Sequence, residues 1–240
     1  MQFRNTTDRT GIVDLLEDLT DSQSTATSNY TIEVKTRDIN LAFDDYQNFV
    51  KSVAGTWQAD DSNHTKYPNM KFNLVSGQQD YTFTEDQQGN QVQDIYRVEI
   101  KQADGTWTVL EYINEMDDDT AISSIEAASG TPTQWYVAAN GIFLKNPPDY
   151  SQTDGIRMFF TRSPSYFADT DTTKEPGIPN GHHKYLAWKP AYWYWLPKDT
   201  QRAQAYLNEV LRIEAAIKDE YSQRVRAQKN RLTVRQESCK

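Results

Sequence analysis

The sequence predicts an α+β protein in which helices at both ends of the chain enclose a β-rich middle. Near each end, apolar residues recur every three or four positions, which is the spacing of one face of an α-helix. Between about residues 57 and 167, short runs of β-type residues alternate with turn residues instead. We therefore expect N- and C-terminal helices that form a helical bundle with an inserted antiparallel β-sandwich or barrel.

Two helices are predicted in the N-terminal region, residues 1–56. A Ser/Thr-rich linker at residues 20–29 separates them, and Thr36 or Asp38 could cap the second helix, which Gly55 ends. The first helix has an apolar stripe of Ile12, Val13, Leu15, Leu16 and Leu19. The stripe of the second helix is Ile39, Ala42, Phe43, Tyr46, Phe49, Val50 and Val53.

The inserted β domain is predicted over residues 57–174. Asp104-Gly105 and Asn140-Gly141 separate β-type runs, and such dipeptides favour two-residue hairpin turns because both central residues must accept a positive φ. Neighbouring strands are therefore expected to be antiparallel. Residues 117–128 interrupt the strands with a short predicted helix that begins with three aspartates.

Helices are predicted again over residues 175–228, followed by a basic tail at 229–240. An aromatic-rich helix at residues 182–196 contains Pro190, and the last helix begins near Asp199 and ends near Gln228. Its apolar seam is Ala203, Leu207, Val210, Leu211, Ile217, Tyr221 and Val225. Each predicted helix has only one apolar face, so the four helices are expected to pack together.

Charge is distributed unevenly along the chain, whose net charge is −9. From Asp199 onward there are 9 basic and 6 acidic residues, which leaves 16 basic and 28 acidic residues in 1–198. A body this acidic is a poor candidate for gripping a phosphate backbone, because that kind of binding depends on Lys and Arg. No run approaches the roughly 18 apolar residues of a membrane helix, so no membrane partner is expected.

Residue patterns that carry chemistry are mostly missing. Phosphate-binding, dinucleotide-binding, nucleophile-elbow and zinc-protease motifs do not occur. His182 and His183 would point about 100° apart on a helix, so they predict a polar helix N-terminus rather than a metal site. Asp117–Asp119 lack the Gly and Glu of a calcium loop, and Cys239 has no evident base beside it. We therefore expect no enzyme activity, no catalytic residue, no metal and no cofactor.

Four aromatic residues stand close together in the first C-terminal helix: Trp188, Trp193, Tyr194 and Trp195. Core packing or subunit contact is the favoured interpretation over a platform for sugars or bases. Because these rings and Tyr192 cannot all face one core, we predict that some of the four lie at a subunit interface, which indicates self-assembly.

The end of the chain combines basic and apolar residues. A tail that served only for solvation would not need the apolar members, so docking to an acidic protein groove is favoured over nucleic-acid contact and over a tail without a partner. The residues predicted to dock are Arg224, Arg226, Lys229, Arg231, Leu232, Val234 and Arg235.

Three motifs in order resemble the head-to-tail adaptor proteins of tailed bacteriophages, which are also called neck or tail tubular proteins. The first is FNLVSGQQDYTF at residues 72–83, and the second is GTPTQWYVAANGIFLKNPPD at 130–149. The third is EPGIP at 175–179, followed by His182 or His183 and an aromatic helix. The resemblance covers roughly residues 36–228.

This resemblance implies a ring, commonly of twelve copies, beneath the portal protein and above the tail or nozzle proteins. Such a ring continues the channel for double-stranded DNA, which would pass without sequence-specific binding along an acidic wall that repels it. In this family the C-terminal segment reaches the portal, which would make the seven tail residues the portal-docking site. The protein would then lie in the head-tail neck of the virion after synthesis in the host bacterial cytoplasm.

Two other interpretations stay open at this point. One is a carbohydrate-binding β-sandwich module of a phage tail or receptor-binding protein that uses Trp107, Trp135 and Tyr136. The other is a capsid decoration or tail-completion protein of the same particle.

Overall fold

The computed structural model describes residues 1–23, 29–54, 69–85, 89, 91–114, 129–138 and 140–224, together with the helical backbone of 225–229. The chain divides into two compact units. The helical unit comprises Met1–Asn63 and Pro164–Lys240, and the β-rich unit comprises His64–Ser163. The second unit therefore interrupts the first along the sequence. The helix predicted at 117–128 lies outside the described residues.

Four α-helices are described in the helical unit: α1 (Ile12–Thr20), α2 (Ile32–Ala54), α3 (Tyr185–Trp195) and α4 (Thr200–Lys229). The start of α1 is fixed by Asp14, whose Oδ2 accepts hydrogen bonds from the backbone N–H groups of Gly11, at 3.0 Å, and Asn5, at 2.8 Å. A Cβ at position 11 would lie 2.7 Å from the Cα of Arg4. The backbone at Arg4 can therefore approach position 11 this closely only because residue 11 is glycine.

Helix α2 begins earlier than the sequence analysis predicted. Thr36 and Asp38 lie inside the helix rather than at its cap. The hydroxyl of Thr36 donates to the carbonyl of Ile32 at 2.7 Å, which is the bond that a threonine in a helix interior makes one turn back.

A buried ion pair joins α1 to α2. Lys35 is fully buried, and its Nζ lies 3.2 Å from Glu17 Oε1 and 2.8 Å from the carbonyl oxygen of Ser22. Burial lowers the pKa of Lys35, while the neighbouring Glu17 acts in the opposite direction. Glu17 also contacts Arg9 at 3.5 Å.

The buried face of α4 differs from the predicted seam at two positions, and the first is Leu207, which is only half-buried. Ile213 is buried, whereas Leu211, which the sequence analysis placed in the seam, is exposed. Val210, Ile213 and Ile217 follow each other at spacings of three and four, so they share one face, and Leu211 is turned about 100° away from Val210. The side chain of Val225 is not described.

The core of the helical unit draws on helices and on loop residues. Phe3 and Phe167 stack at 4.5 Å between ring centroids, and Ile178 also belongs to this core. The helical contribution comes mainly from Ile12, Val13, Leu16, Ile39, Ala42, Phe43, Tyr46, Val50, Tyr185, Leu186, Ala187, Ala191, Val210, Ile213, Ile217 and Tyr221. Helix α3 contacts α1, α2 and α4, which places it at the centre of the unit.

The β-rich unit contains two four-stranded sheets, which we call sheet A and sheet B. The strands are β1 (Asn69–Leu74), β2 (Asp80–Thr82), β3 (Val92–Lys101), β4 (Trp107–Val109), β5 (Glu111–Tyr112), β6 (Gln134–Ala138), β7 (Gly141–Leu144) and β8 (Gln152–Arg162). Sheet A has the order β1-β8-β3-β4, and sheet B has the order β2-β7-β6-β5. Together with the helices they give the α+β composition that the sequence predicts.

One strand pair departs from the predicted antiparallel arrangement, because β5 pairs with β6 in parallel. Parallel neighbours need a crossover of about a dozen residues or more, and residues 113–133 provide that length. All other paired strands are antiparallel among the described residues.

A single hydrophobic cluster takes residues from both sheets. Its members are Met70, Leu74, Tyr81, Val98, Ile100, Leu110, Trp135, Ile142, Leu144, Ile156, Met158 and Phe160. Side chains alternate between the two faces of a strand, so the neighbours of Val98 and Ile100 in β3 lie on the opposite face of sheet A.

Candidate docking sites

Arg224 is the one predicted docking residue whose side chain the structure describes. Its guanidinium forms an ion pair with Glu220 one turn earlier in α4 and lies 4.9 Å from the ring centroid of Tyr221. Arg226 and Lys229 lie on the helical backbone of α4, without described side chains. The remaining four, Arg231, Leu232, Val234 and Arg235, lie outside the described residues. Their docking role stays a prediction.

A buried polar chain of hydrogen bonds holds this part of α4 in place. His182 Nε2 lies 3.0 Å from Glu220 Oε2, and His182 Nδ1 lies 2.7 Å from the hydroxyl of Tyr46. The hydroxyl of Tyr46 lies 3.2 Å from that of Tyr221. With a neutral imidazole protonated at Nε2, every bond has one donor: Tyr221 donates to Tyr46, Tyr46 to His182, and His182 to Glu220.

Both histidines are buried, which corrects the prediction of a helix N-terminus at a polar surface. Desolvation lowers the pKa of His182 and of His183 below their ordinary values. His183 Nε2 donates to the carbonyl of Ile178 at 2.9 Å, and its Nδ1 lies 2.6 Å from the amino nitrogen of Met1. The two rings thus have separate partners, and no group of three potential metal ligands occurs within the described part of the chain.

The four aromatic residues predicted at a subunit interface pack against their own unit. Tyr194 lies 4.8 Å from Tyr30 between ring centroids, and Trp195 Nε1 donates to the carbonyl of Leu19 at 3.0 Å. Trp188 contacts Tyr206 at 5.3 Å between ring centroids. These three residues and Trp193 are each only half-buried, so all four combine an intramolecular contact with exposed area.

The helical unit has an open groove of about 460 Å³ along α2, which we call the acidic groove. Its lining is Glu33, Thr36, Arg37, Asn40, Leu41, Asp44, Tyr166 and Asp169. The side-chain amide of Asn40 bonds both the N–H and the carbonyl of Phe167, each at 2.9 Å, and so holds the 166–169 segment against α2. Tyr166 donates to Asp44 Oδ1 at 2.6 Å.

Charge and exposed apolar area coincide in the acidic groove. Its three carboxylates outnumber its one cation, Arg37, which forms an ion pair with Asp38. Leu41 is 49% exposed and Tyr166 is 43% exposed. Burial raises the pKa of Asp44 above its ordinary value, against the opposite effect of the Tyr166 hydroxyl.

Sheet A has a face of opposite charge, which we call the basic face. Arg97 and Arg157 both pair with Glu99, through Arg97 Nε to Oε1 at 2.6 Å and Arg157 Nε to Oε2 at 2.8 Å. The Arg157 guanidinium lies 4.3 Å from the ring centroid of Trp107 and 5.3 Å from that of Phe159. The strand register places Lys71 opposite Arg157, Lys101 opposite Trp107 and Val109 opposite Glu99. Lys71, Lys101 and Val109 therefore belong to the same face of sheet A.

The three aromatics of the carbohydrate-binding alternative do not form one exposed platform. Trp135 is only 2% exposed and belongs to the core of the β-rich unit. Tyr136 is buried and stacks on Phe143 in sheet B, whereas Trp107 lies in sheet A under Arg157. Sugar platforms need exposed ring faces, so the structure gives this alternative no binding site built from these residues.

Comparison with protein families settles the general class. The family model of the SU10 adaptor protein matches residues 14–235, which is most of the chain. The chain belongs to this family. It is therefore a viral structural protein, a head-to-tail adaptor of a bacteriophage, as the three sequence motifs indicated. No curated protein matches the chain in sequence.

Membership in the adaptor family has consequences for partners and location. Such an adaptor interacts with portal and tail proteins, and it lies in the neck of the virion. The match extends from Asp14 in α1 to Arg235, so it includes all seven predicted docking residues, most of α1, the other three helices and both sheets. None of the described helices is long and apolar enough to cross a bilayer.

Proposed function

We propose that the protein forms a ring of twelve copies beneath the portal, continues the DNA channel from the head and provides the attachment site for tail or nozzle proteins. The observation that carries this proposal is the adaptor-family match over residues 14–235. An adaptor that joins a ring-shaped portal to a tail must surround the path of the DNA during packaging and ejection. The role needs no enzyme activity, metal or cofactor.

The charge of the chain supports a role as a channel wall. Residues 1–198 hold 28 acidic and 16 basic side chains, and a ring repeats that excess in every copy. A wall of this kind repels the phosphates of passing double-stranded DNA, so the duplex moves without being held. The DNA accordingly passes through the ring without being bound as a specific ligand.

We further propose the domain organisation that the sequence predicts: helices of residues 1–56 and 175–228 in one bundle, an inserted β-sandwich at 57–174, and a docking tail at 229–240. Two observations support it. Both ends of the chain contribute to the core of the helical unit. Sheets A and B contribute to one hydrophobic cluster, as expected when two sheets share a core.

The C-terminal segment is the proposed contact with the portal. Arg224 is the first of the seven docking residues, and it is the last residue of α4 whose side chain is described. Its guanidinium is held by the ion pair with Glu220 and by the ring of Tyr221. The buried chain from Tyr221 to His182 fixes the helix that carries it. After Arg224, basic and apolar residues alternate, which suits a negatively charged cleft with an apolar floor on the portal. Binding to such a cleft would order the segment.

The half-buried aromatics of α3 are the proposed contacts between neighbouring copies. Trp188, Trp193 and Tyr194 keep exposed area after packing against their own core, and Trp195 keeps exposed area beside its bond to Leu19. Exposed aromatic area of this kind is enriched at protein interfaces.

Removal of the tail tests the portal contact. Truncation after Gln228 deletes five of the seven docking residues and retains every residue of α4 that the structure describes as buried, up to Tyr221. DNA-filled heads without the adaptor are incubated with the truncated protein, and bound protein is measured after sedimentation. Truncation after Ser238 is the matched control because it shortens the chain and retains all seven residues.

The control should bind heads like the full chain, while the protein truncated after Gln228 should not bind although its circular dichroism and melting temperature are unchanged. Normal retention of that protein on heads would refute docking through the tail. Failure of the full chain to bind heads would refute the adaptor role itself.

A further inference from the structure

The basic face of sheet A is an anomaly in an acidic unit. The β-rich unit, residues 64–163, has 14 acidic and 7 basic residues. Four of these seven cations lie on the basic face: Lys71, Arg97, Lys101 and Arg157. Among the residues that define the face, Glu99 is the single carboxylate, so the face has a charge of +3 in a unit with a net charge of −7.

The two arginines of the basic face are held in position before any partner binds. Glu99 is buried beneath Arg97 and Arg157 and bonds both guanidinium groups. Arg157 lies between Trp107 and Phe159, which fixes the plane of its guanidinium. Arg97 remains 52% exposed. A fixed guanidinium loses little conformational entropy when it binds a carboxylate, so this arrangement favours an anionic protein surface.

The acidic groove has the complementary properties. It presents Glu33, Asp44 and Asp169 around Leu41 and Tyr166, whereas the basic face has Trp107 and Val109 on the edge strand β4, beside the cations on β3, β8 and β1. Both Leu41 and Val109 are 49% exposed. Each surface therefore combines apolar side chains with charged side chains, and the charges of the two surfaces are opposite in sign.

The geometry points to a direct contact between these surfaces in the ring: the basic face of one copy docks on the acidic groove of the next copy. This inference rests on the proposed ring. A closed ring requires a heterologous interface, in which two different patches of each copy meet. One patch lies on the β-rich unit and the other on the helical unit, so the two patches meet that requirement.

Charge reversal on each surface tests the contact. Lys71→Glu with Lys101→Glu reverses the basic face and spares Arg97 and Arg157, which bond Glu99. Glu33→Lys with Asp169→Lys reverses the acidic groove and spares Asp44, which bonds Tyr166. A chain with all four substitutions has the same net charge as the unaltered chain, −9.

The measurement is the number of copies bound per purified portal ring, obtained by mass photometry of full-length chains over a concentration series. Each two-residue reversal should raise the concentration needed for a complete ring by about tenfold or more, because like charges then face each other. The four-residue chain should restore assembly. Lys184→Glu with Lys218→Glu gives the same charge change as Lys71→Glu with Lys101→Glu at positions outside both surfaces, and this chain should assemble like the unaltered one.

Three outcomes would overturn the inference while the ring stands. Complete rings from both two-residue reversals would show that neither surface is needed. No restoration by the four-residue chain would show that the surfaces meet other partners. Retention of duplex DNA at 150 mM salt that Lys71→Glu with Lys101→Glu abolishes would make the basic face a nucleic-acid site. If the unaltered chain formed no ring on the portal, the proposed function would fail, and this contact with it.

Discussion

The imidazole Nε2 of His182 lies 3.0 Å from Oε2 of Glu220, so the turn before α3 is bonded directly to the part of α4 that leads into the tail. His182 is buried, while Glu220 is partly exposed and also pairs with Arg224. The interaction therefore connects the core of the helical unit to the first predicted docking residue.

Acid should destabilise the helical unit through its two buried histidines. Burial lowers the folded-state pKa of His182 and His183, so the unfolded chain takes up protons first, near its ordinary value of about 6.5. The contribution of the two neutral histidines to the free energy of unfolding is fully present above about pH 6.5. It is lost as the pH falls from there toward the lower pKa values that the histidines have in the folded protein. Urea unfolding at pH 7.5 and 5.5 measures the loss.

The matched variant for this prediction is His182→Gln with His183→Gln, which removes both titrating rings. Its free energy of unfolding should be lower than that of the unaltered chain at pH 7.5 and should change less between the two pH values. An unchanged pH dependence in the variant would show that the acid sensitivity arises elsewhere.

Loss of Lys35 should be costly because the buried carboxylate of Glu17 would lose its buried cation and keep the longer contact with the exposed Arg9, at 3.5 Å. Lys35→Ala should reduce the free energy of unfolding by about 3–5 kcal/mol. Lys35→Met combined with Glu17→Leu removes both charges and should recover a large part of that loss. Chemical denaturation compares the three proteins, and a double variant no more stable than Lys35→Ala would contradict a paired burial of the two charges.

Trp135 and Trp107 should respond very differently to substitution. Trp135→Ala removes a large core side chain of the β-rich unit and should cost about 3–5 kcal/mol. Trp107→Ala loses mainly the stacking of Arg157, about 1 kcal/mol. Thermal melts of both variants test this difference. Equal melting temperatures for the two would place Trp135 at the surface, as a sugar platform requires.

Gly11 should tolerate no side chain. Gly11→Ala would place a methyl group 2.7 Å from the Cα of Arg4 and should cost about 1–3 kcal/mol through displaced backbone. Gly130→Ala is the control, since a Cβ there meets nothing within 4 Å. A Gly11→Ala protein as stable as the Gly130→Ala protein would show that the 3–11 segment moves freely.

Periodicity predicted the helices well where a helix packs one face on the core. The stripe of α1 and most of the seam of α4 are examples, because their buried residues recur with the helical period. The start of α2 was misplaced since Thr36 and Asp38 fit a cap by residue type, and only the bond from Thr36 to Ile32 shows that the helix has already begun. The parallel pairing of β5 with β6 depends on a crossover, which short-range turn signals cannot reveal.

The candidate sites also differ in whether neighbouring or distant residues of the sequence form them. The docking residues at the C-terminal end are visible in the sequence because they lie within twelve positions, 224–235. The basic face is not, since Lys71, Arg97, Lys101 and Arg157 meet only through the register of β1, β8 and β3. Burial of His182 likewise depends on Tyr46, which lies 136 residues away along the chain.

The most direct test of the adaptor role is an electron cryomicroscopy reconstruction of the purified portal ring after incubation with the full chain. We expect a closed collar of twelve copies on one side of the portal, with density for residues 229–240 inside the portal. A portal without added density, or copies attached singly and without their C-terminal segments in contact with the portal, would contradict it.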